Sequence, residues 1–550
     1  MRKQKLAAAL TAAVTLVAAA TAAAATFTDT QANNPQVAGD PSSNTTALFP
    51  TNKQNEPAIA VNPTNADFLV AGANDEQLQP ACGPGPVRGN VPANDCSFFP
   101  GVGTDGVYTS SNGGTSWVNR GLLPGYSEFP GQPGTFVSDG DPRIVYGPRP
   151  DASGSYATAR TQHAFVNGTR AYYGGIASFA RSAAQGNQAP ELIAVSTSDT
   201  NGLTWSDPVM AAGGHGFLFN DHEDMWADNN PASPFFGRVY VSYTHFRGSV
   251  FTFFAEPIRV IFSDDGGRTW SNPTQISPAH NNNTVGGRQD STVRTGPDGT
   301  VYVAWDDGDI GGNKQVVAIS HDGGVSFSKP IKVAPLDGID DPVPGANFRD
   351  GSYPSLGVDP RVGMRTLYVA WADKQGGTTG RIVVSKSTDG GLHWSAPVVA
   401  SSAADGYAFF QALDVAPNGR VDLAYQALKA VNPATYGTGN ATVDSFYTTT
   451  TNGVSWSPST KVSSVSSDPA ASAQNNLERQ FWGDYNTLVS LNANAWFIYT
   501  DSRNGVGCAA VDVFQHSVDG SGPSAPKPAP QNACGSQFGN SDVFVSRITP

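Results

Sequence analysis

The sequence predicts an all-β fold, a β-propeller of four-stranded antiparallel blades, on three observations. A box close to Ser-x-Asp-x-Gly-x-x-Trp occurs six times, each copy follows an apolar β-prone run, and 60 glycines and 40 prolines accompany only 14% charged residues. This composition suits short strands joined by tight turns. A recurring unit indicates a repeat architecture, and radial repetition of four-stranded sheets gives a propeller. The boxes end at Trp117, Trp205, Trp270, Phe327, Trp394 and Trp456.

The unit around Trp394 shows the predicted blade most clearly. Residues 354–359, 367–371 and 381–385 form three short β-prone runs, the box follows, and residues 396–400 form a fourth run. Turn residues separate the runs, so the unit is predicted to be one antiparallel meander.

Seven such units follow one another, which favours seven blades; six result if unit one or seven is an appendage. The second strand of unit two is predicted at residues 163–166. Unit seven has runs at 495–499 and 542–548 but no box and no fourth strand. Residues 26–29 are predicted to supply that strand, because closing the ring with both chain ends removes two exposed sheet edges. The predicted first strands are residues 57–61, 141–146, 224–228, 289–293, 354–359, 410–415 and 482–485.

Each box is predicted to be a structural turn. Asp or Asn before Gly forms a tight hairpin, because Gly tolerates positive φ. The leading Ser or Thr bonds nearby backbone, and the closing aromatic residue packs between blades. A single active site does not need six copies of one loop. Carboxylates such as Asp265 and Asp389 are therefore predicted to be structural.

The first 25 residues predict an export signal. Arg2, Lys3 and Lys5 precede an Ala-rich apolar stretch at 6–23 and small residues at 22–25. A membrane anchor is the alternative interpretation. We therefore expect a signal at 1–25, an N-terminal segment at 26–50 and a propeller at 51–550. The mature protein is expected to be secreted, monomeric and free of the membrane.

The charge and the cysteines narrow the function further. A net charge of -13, with no basic run beyond the N-terminus, argues against a nucleic-acid partner. Four cysteines fit an oxidising compartment and allow three pairings. The two local pairs are favoured, Cys82 with Cys96 and Cys508 with Cys534, because each would hold a Pro/Gly-rich loop. Their spacing does not match a zinc site.

The boxes resemble the Asp-box repeats of the sialidase superfamily over nearly the whole chain after the signal. The phrases VYVAW at 301–305, WGDY at 482–485 and YTDSR at 499–503 are similar to those of secreted, sialidase-like BNR-repeat proteins. The resemblance implies a propeller that binds an acidic glycan at the channel mouth and hydrolyses a glycosidic bond. It also implies an arginine triad, a Tyr–Glu nucleophile pair and an Asp acid. The family's Arg-Ile-Pro signature is absent, since Arg143-Ile144 is followed by Val145.

Charged residues open most of the predicted first strands, which line the channel of a propeller. Tyr485 is the candidate nucleophile, Glu223 the group that takes its proton, and Asp141 the acid that protonates the leaving oxygen. Arginine grips carboxylates with two parallel hydrogen bonds, so arginines are candidates for holding an acidic sugar. The candidate substrate-binding residues are Arg143, Arg288, Arg349 and Arg479.

Alternatives remain open at the same positions. The channel charges can instead pair with one another in a non-catalytic binding propeller. His222 would suit a polysaccharide lyase, in which a base removes a proton next to a uronic carboxylate, or a structural hydrogen-bond network. The acidic loop at 337–341 is either a structural Ca²⁺ site or a solvated turn. No other cofactor and no metal in the catalytic site are expected.

Overall fold

The computed structural model is a seven-bladed β-propeller, which confirms the predicted fold class and blade number. Each blade is a four-stranded antiparallel sheet, and blade three carries one additional short strand. The structure describes residues 25–34, 53–76, 104–126, 136–179, 191–213, 219–249, 252–279, 287–308, 312–429, 437, 440–473, 477–535 and 537–550.

Blades one to three use the first half of the chain. Blade one contains β2 (Gln54–Val61), β3 (Leu69–Asp75), β4 (Asp105–Ser110) and β5 (Val118–Leu122). Blade two contains β6 (Phe136–Pro148), β7 (Thr169–Phe179), β8 (Leu192–Ser198) and β9 (Val209–Ala212). Blade three contains β10 (Phe219–Ala227), β11 (Val239–Ser249), β13 (Ile258–Ser263) and β14 (Thr274–Gln275), and β12 (Thr252–Ala255) pairs with β11.

Blades four to seven complete the ring. Blade four contains β15 (Arg288–Thr295), β16 (Val301–Asp307), β17 (Lys314–Ser320) and β18 (Ile331–Pro335). Blade five contains β19 (Ser355–Val358), β20 (Leu367–Asp373), β21 (Arg381–Ser387) and β22 (Val398–Val399). Blade six contains β23 (Tyr407–Val415), β24 (Val421–Lys429), β25 (Thr442–Thr450) and β26 (Thr460–Lys461). Blade seven contains β27 (Thr487–Ser490), β28 (Ala495–Asp501), β29 (Asp542–Thr549) and β1 (Thr26–Gln31).

The N-terminal strand β1 closes the ring, as the sequence predicts. It pairs antiparallel with β29 from Thr26 opposite Thr549 to Gln31 opposite Phe544. The buried carboxylate of Asp29 fixes this strand by accepting bonds from Arg503 Nη1 at 2.7 Å and Tyr499 Oη at 2.8 Å. Strands from both ends of the described chain therefore form blade seven, and β1 supplies its outer strand.

The first strands lie side by side around the axis, with β2, β6, β10, β15, β19, β23 and β27 each next to its neighbours in the ring. The apolar core lies between adjacent blades rather than at the axis. Trp394, for example, packs against a cluster that combines Val317 of blade four with Leu367 and Val369 of blade five. This placement confirms the predicted role of the closing aromatic residue.

The boxes form saturated turns after the third strands. In blade four, Asp322 Oδ1 accepts bonds from Ser320 Oγ at 2.8 Å, Val325 N at 3.1 Å and Ser326 N at 2.9 Å. Slight burial acts in the opposite direction, but the bonds from Ser326 and Ser320 lower the pKa of Asp322 to about 2. The structural role predicted for the box carboxylates agrees with this geometry.

Two predicted strands are wrong. Residues 163–166 follow helix α1 (Ala157–Gln162), whose C-cap His163 is left-handed, and the second strand of blade two is β7 instead. Residues 482–485 precede the first strand of blade seven, which begins at Thr487. Helices α2 (Ala509–Val518) and α3 (Pro530–Ala533) interrupt blade seven between β28 and β29 and were not predicted.

The disulfide between Cys508 and Cys534 confirms one favoured pairing, with a Cα–Cα distance of 5.2 Å between the start of α2 and the end of α3. Cys82, Cys96 and residues 1–24 of the predicted signal at 1–25 lie outside the described residues. Within the described ranges, no helix has the length and apolar character to cross a membrane.

The acidic loop at 337–341 has its carboxylates engaged by protein groups. Asp337 Oδ2 accepts a bond from Gly376 N at 2.7 Å. Asp340 Oδ1 lies 2.8 Å from Lys374 Nζ, and Asp341 Oδ1 lies 3.6 Å from Arg479 Nη2. Structural Ca²⁺ at this loop stays a prediction.

Candidate functional site

A repeated backbone irregularity shapes the channel mouth. The first strands of blades one, two, three, four and six each shift register near their start, and at that point each contains a residue with positive φ. A bulge bends a strand and redirects a side chain, and left-handed residues of this kind are strained. The five left-handed residues are Glu56 (φ 52), Asp141 (57), His222 (50), Asp290 (50) and Phe410 (47).

Asn74 joins the bulges of blades one and two. Its Nδ2 donates to Glu56 Oε2 at 2.7 Å, and its Oδ1 accepts from the backbone N of Asp141 at 2.9 Å. Burial, the charge of Asp141 and that of Asp484 raise the pKa of Glu56 well above its ordinary value. Burial and Asp221 raise the pKa of Asp141 to about 6, against the opposing charge of His222. The two carboxyl groups therefore lie together and share a reduced negative charge.

His222 connects the bulges of blades three and four. Its Nδ1 lies 2.9 Å from Asp290 Oδ1, and its Nε2 lies 3.7 Å from Asp221 Oδ2. Burial lowers the pKa of the imidazole, but Asp221 and Asp290 outweigh burial and hold that pKa well above its ordinary value. The ring of Tyr353 lies 5.9 Å away. His222 is therefore a charged residue between two carboxylates rather than a free base.

Glu223 is a buried carboxylate of an unusual kind. The residue is 1% exposed, and neither carboxylate oxygen has a hydrogen-bond partner among the described residues. Burial and the charge of Asp141 raise the pKa of Glu223 well above its ordinary value, although Arg143 opposes them. Because a buried carboxylate without a partner is costly, this position is a strong functional candidate.

Tyr485 lies beneath Arg143. The guanidinium carbon of Arg143 is 3.3 Å from the ring centre, and Tyr485 Oη donates to the carbonyl of Pro142 at 3.3 Å. Burial raises the pKa of the Tyr485 phenol well above its ordinary value, Arg143 opposes this, and Asp141 and Glu56 add to it. The stacked guanidinium is the group that favours a phenolate here.

Arg349 forms a two-pronged ion pair with Asp484. Its Nε lies 2.7 Å from Asp484 Oδ1 and its Nη2 lies 2.5 Å from Oδ2. The Arg349 side chain remains 45% exposed, whereas that of Asp484 is 4% exposed. Burial lowers the pKa of Arg349, but Asp484 and Glu56 outweigh it and raise that pKa. An exposed guanidinium thus faces the mouth with one carboxylate behind it.

The structure brings five of the seven predicted site residues together, namely Tyr485, Glu223, Asp141, Arg143 and Arg349. The other two lie elsewhere. Arg288 is 1% exposed, with its Nε 3.1 Å from Asp307 Oδ2, so it belongs to the interior of blade four. Arg479 lies beside Asp341 of the acidic loop.

Below the mouth, an axial cavity encloses about 310 Å³. Arg143, Asp224 and Tyr485 line its upper part, where Asp224 accepts a 2.6 Å bond from Arg294. Trp226 and Val489 line the part further from the mouth, and Arg294 stacks on Trp226 at 4.5 Å. This volume is at the lower end of small-molecule pockets, which span about 300–1,000 Å³.

Sequence reasoning missed three features of the site. Asn74 carries no motif, yet it positions Glu56 and Asp141 at once. Asp484 lies within the strand predicted at 482–485, and its pairing with Arg349 was not predicted. The recurring positive φ has no common residue type in the sequence, because Glu, Asp, His and Phe occupy the position.

One family model matches part of the chain. The model of the BNR repeat-like domain matches residues 174–427, which include the boxes at Trp205, Trp270, Phe327 and Trp394. This match confirms the resemblance that the boxes indicate in the sequence. No curated protein matches the chain.

The solved structures that resemble this chain have low sequence identity and low TM-scores. A Hadza microbial sialidase is 14% identical with a TM-score of 0.40, covering 68% of this chain, which spans 63% of that sialidase. A leech intramolecular trans-sialidase is 14% identical with a TM-score of 0.40, covering 72% and 67% of the two chains. An α-L-arabinofuranosidase from Fusarium graminearum is 12% identical with a TM-score of 0.41, covering 95% and 98%. At these values, none of their activities is assigned to this chain.

Proposed function

We propose that this BNR repeat-like propeller is an exported glycoside hydrolase that binds an acidic glycan at the channel mouth. The single observation that carries the proposal is the group of Tyr485, Arg143, Glu223 and Asp141 at one opening above an axial cavity. Export rests on the signal predicted at residues 1–25, and the protein is proposed to act as a monomer.

Tyr485 is the proposed nucleophile. The Arg143 guanidinium, 3.3 Å from the ring centre, stabilises the phenolate that forms when the phenol loses its proton. Glu223 takes that proton, since its carboxylate has no other partner among the described residues. The phenolate oxygen then forms a bond to the anomeric carbon as the glycosidic bond breaks.

Asp141 is the proposed acid. It is partly exposed at the mouth, and its backbone N–H is held by Asn74, which supports this role. The carboxyl group gives its proton to the leaving oxygen. The resulting carboxylate then takes a proton from the water that cleaves the Tyr485–sugar bond, and Glu223 returns its proton to the Tyr485 oxygen, which restores all three groups.

Arg349 and Arg143 are the proposed contacts for the carboxylate of the sugar. Arg349 is the more exposed of the two and presents a planar guanidinium at the mouth. Arg288 and Arg479 are not part of this proposal, because the first is buried beside Asp307 and the second lies beside Asp341.

A binding propeller without catalysis is the second candidate. It is favoured by the two-pronged pairing of Arg349 with Asp484, which neutralises the most exposed arginine of the group. The lyase alternative has less support, because His222 lies between Asp221 and Asp290 and is charged at neutral pH, which removes the lone pair that a base needs.

The test uses 4-methylumbelliferyl glycosides of sialic, glucuronic and galacturonic acids, together with oligosaccharides ending in the same sugars. Tyr485→Phe is expected to lower kcat at least about 100-fold on both kinds of substrate. Asp141→Asn is expected to lower kcat about 100-fold or more on oligosaccharides but much less on methylumbelliferyl glycosides, whose leaving group needs no proton.

Tyr240→Phe is the matched control, because the Tyr240 hydroxyl is buried without a partner among the described residues and belongs to β11, the second strand of blade three, rather than to a channel strand. Full turnover in both Tyr485→Phe and Asp141→Asn would end the hydrolase proposal. Glycan binding without product release would establish the binding propeller, and an unsaturated product absorbing in the near ultraviolet would establish the lyase.

A further inference from the structure

Three metal-ligating side chains meet where blades two and three adjoin at the mouth. The ligand atoms of Asp141, Asp221 and His222 all lie within 4.8 Å of one another. His222 Nε2 and Asp221 Oδ2 are 3.7 Å apart. Two ligands about 2.1 Å from a tetrahedral zinc ion are themselves about 3.4 Å apart, so small side-chain movements would complete this geometry.

The second nitrogen of His222 strengthens the assignment. Nδ1 lies 2.9 Å from Asp290 Oδ1, and Asp290 is buried. A carboxylate behind the imidazole is the usual arrangement for a metal-ligating histidine, because it sets the orientation of the ring and raises its basicity. In this arrangement Nε2 is the nitrogen that faces Asp221.

An independent observation comes from unpartnered carboxylates beside the cluster. Glu223 is 1% exposed, and both its oxygens lack a hydrogen-bond partner among the described residues. Asp141 and Asp221 lie close enough for their charges to act on it. Asp290 Oδ2 is likewise buried without a hydrogen-bond partner in the described chain. Buried carboxyl oxygens without a partner are costly unless a proton or a cation satisfies them.

We propose that Asp141, Asp221 and His222 bind a divalent cation of the zinc class that displaces the Nε2 proton of His222, with further coordination positions open to the channel mouth. One imidazole with two carboxylates suits Zn²⁺, whereas Ca²⁺ and Mg²⁺ take oxygen ligands. Asp141 comes from blade two and the other two ligands from blade three, so the ion links neighbouring blades. The site shares Asp141 with the proposed acid, so bound Zn²⁺ suppresses the proposed hydrolysis.

The test is a calorimetric titration of chelator-treated, tag-free full-length protein with Zn²⁺ and, separately, with Ca²⁺. We expect one Zn²⁺ per chain and at least 10-fold weaker Ca²⁺ binding. His222→Asn, chosen because Asn tolerates positive φ, and Asp221→Asn are each expected to weaken Zn²⁺ binding at least 10-fold. Asp290→Asn removes no ligand and is expected to weaken binding about 10-fold through the orientation of His222.

His393→Gln is the matched control. His393 Nδ1 lies 2.6 Å from Asp389 Oδ2 in an exposed box turn, so it is a His–Asp pair away from the mouth. This variant is expected to bind Zn²⁺ like the wild type. Absence of stoichiometric Zn²⁺ binding, or wild-type binding by folded His222→Asn and Asp221→Asn, would overturn the proposal. Binding is measured without turnover, so the outcome is independent of the proposed hydrolase activity.

Discussion

The box turns, here called the rim, and the channel mouth place carboxylates in opposite environments. The carboxylate of Asp322 at the rim is exposed and accepts four hydrogen bonds from its own loop. The carboxylate of Glu223 at the mouth is buried and has no hydrogen-bond partner among the described residues. Satisfied carboxylates stabilise a fold, whereas unsatisfied ones are retained at a cost that function explains. A carboxylate is therefore structural at the rim and a functional candidate at the mouth because its surroundings differ, not because the residue type differs.

Repetition differs between the two regions as well. The rim repeats both backbone and side chains, since Asp or Asn stands two residues after the leading Ser or Thr in five boxes. The mouth repeats the backbone alone: its left-handed position carries Glu56, Asp141, His222, Asp290 or Phe410. A seven-fold scaffold thus acquires a single site because the side chains vary at equivalent positions.

The largest expected effect is at the rim. Trp394→Ala removes a large aromatic residue packed between blades four and five, and should lower the free energy of unfolding by about 3 kcal/mol. Because the residue is remote from the mouth, turnover at 25 °C should not change. Urea denaturation and initial rates measure the two quantities. A loss below about 1 kcal/mol would contradict the structural role of the boxes.

The next effect tests the hydrogen bonds of one box. Asp322→Ala should cost about 2 kcal/mol, because four bonds to its carboxylate are lost. Asp322→Asn should cost less than about 0.5 kcal/mol, because Asn112 and Asn452 accept the equivalent bonds in other boxes. Equal losses in the two variants, measured by urea denaturation, would show that the carboxylate charge matters at the rim.

The mouth should respond with the opposite sign. Glu223→Gln replaces a buried group that has no hydrogen-bond partner in the described chain with a neutral amide, and should raise the free energy of unfolding by about 1 kcal/mol at pH 8. The same variant should lose most of the proposed hydrolysis. If Glu223→Gln were destabilising, the carboxylate would have a structural partner and the contrast with the rim would fail.

The smallest effect concerns pH. Burial raises the pKa of Asp414 on the channel wall to about 6, although bonds from Val415 and Ser490 oppose it. Folding therefore favours its protonated form, and this group lowers stability as pH rises from about 4 to about 6. Asp414→Asn should be more stable than the wild type at pH 7.5 and equal to it near pH 4.

Denaturant midpoints at the two pH values provide the measurement. Asp322 has the opposite sign: its pKa of about 2 means that its contribution is present above its ordinary pKa and is lost as pH falls towards 2. If the stability difference between Asp414→Asn and the wild type grew as the pH fell, the raised pKa assigned to Asp414 on the channel wall would be wrong.

The fold was predictable because the repeated sequence unit shows where each blade lies along the chain. Each box marks the end of a third strand, and the missing edge of unit seven points to the N-terminal strand. Residues 163–166 were misassigned because a short apolar run in a loop resembles a strand, and the flanking helix α1 has no N-cap side-chain bond to announce it.

The site was predictable in position but not in orientation. Arg288 and Arg349 both precede or open a first strand, yet the first is buried beside Asp307 and the second is exposed beside Asp484. Arg288 is the first residue of β15, where strand alternation and the bulge at Asp290 set the direction of its side chain, whereas Arg349 lies in the loop before β19, which alternation does not govern. Partners such as Asn74 come from neighbouring strands, and local sequence does not reveal them.

The closure of blade seven has a topological consequence. Since Thr26 is paired with Thr549, the two ends of the described chain lie at one outer edge of the ring. A short peptide between them would make a covalent circle, which could then be cut within any rim turn to give a circular permutant. Such a permutant should keep the same mouth, because a ring has no intrinsic first blade.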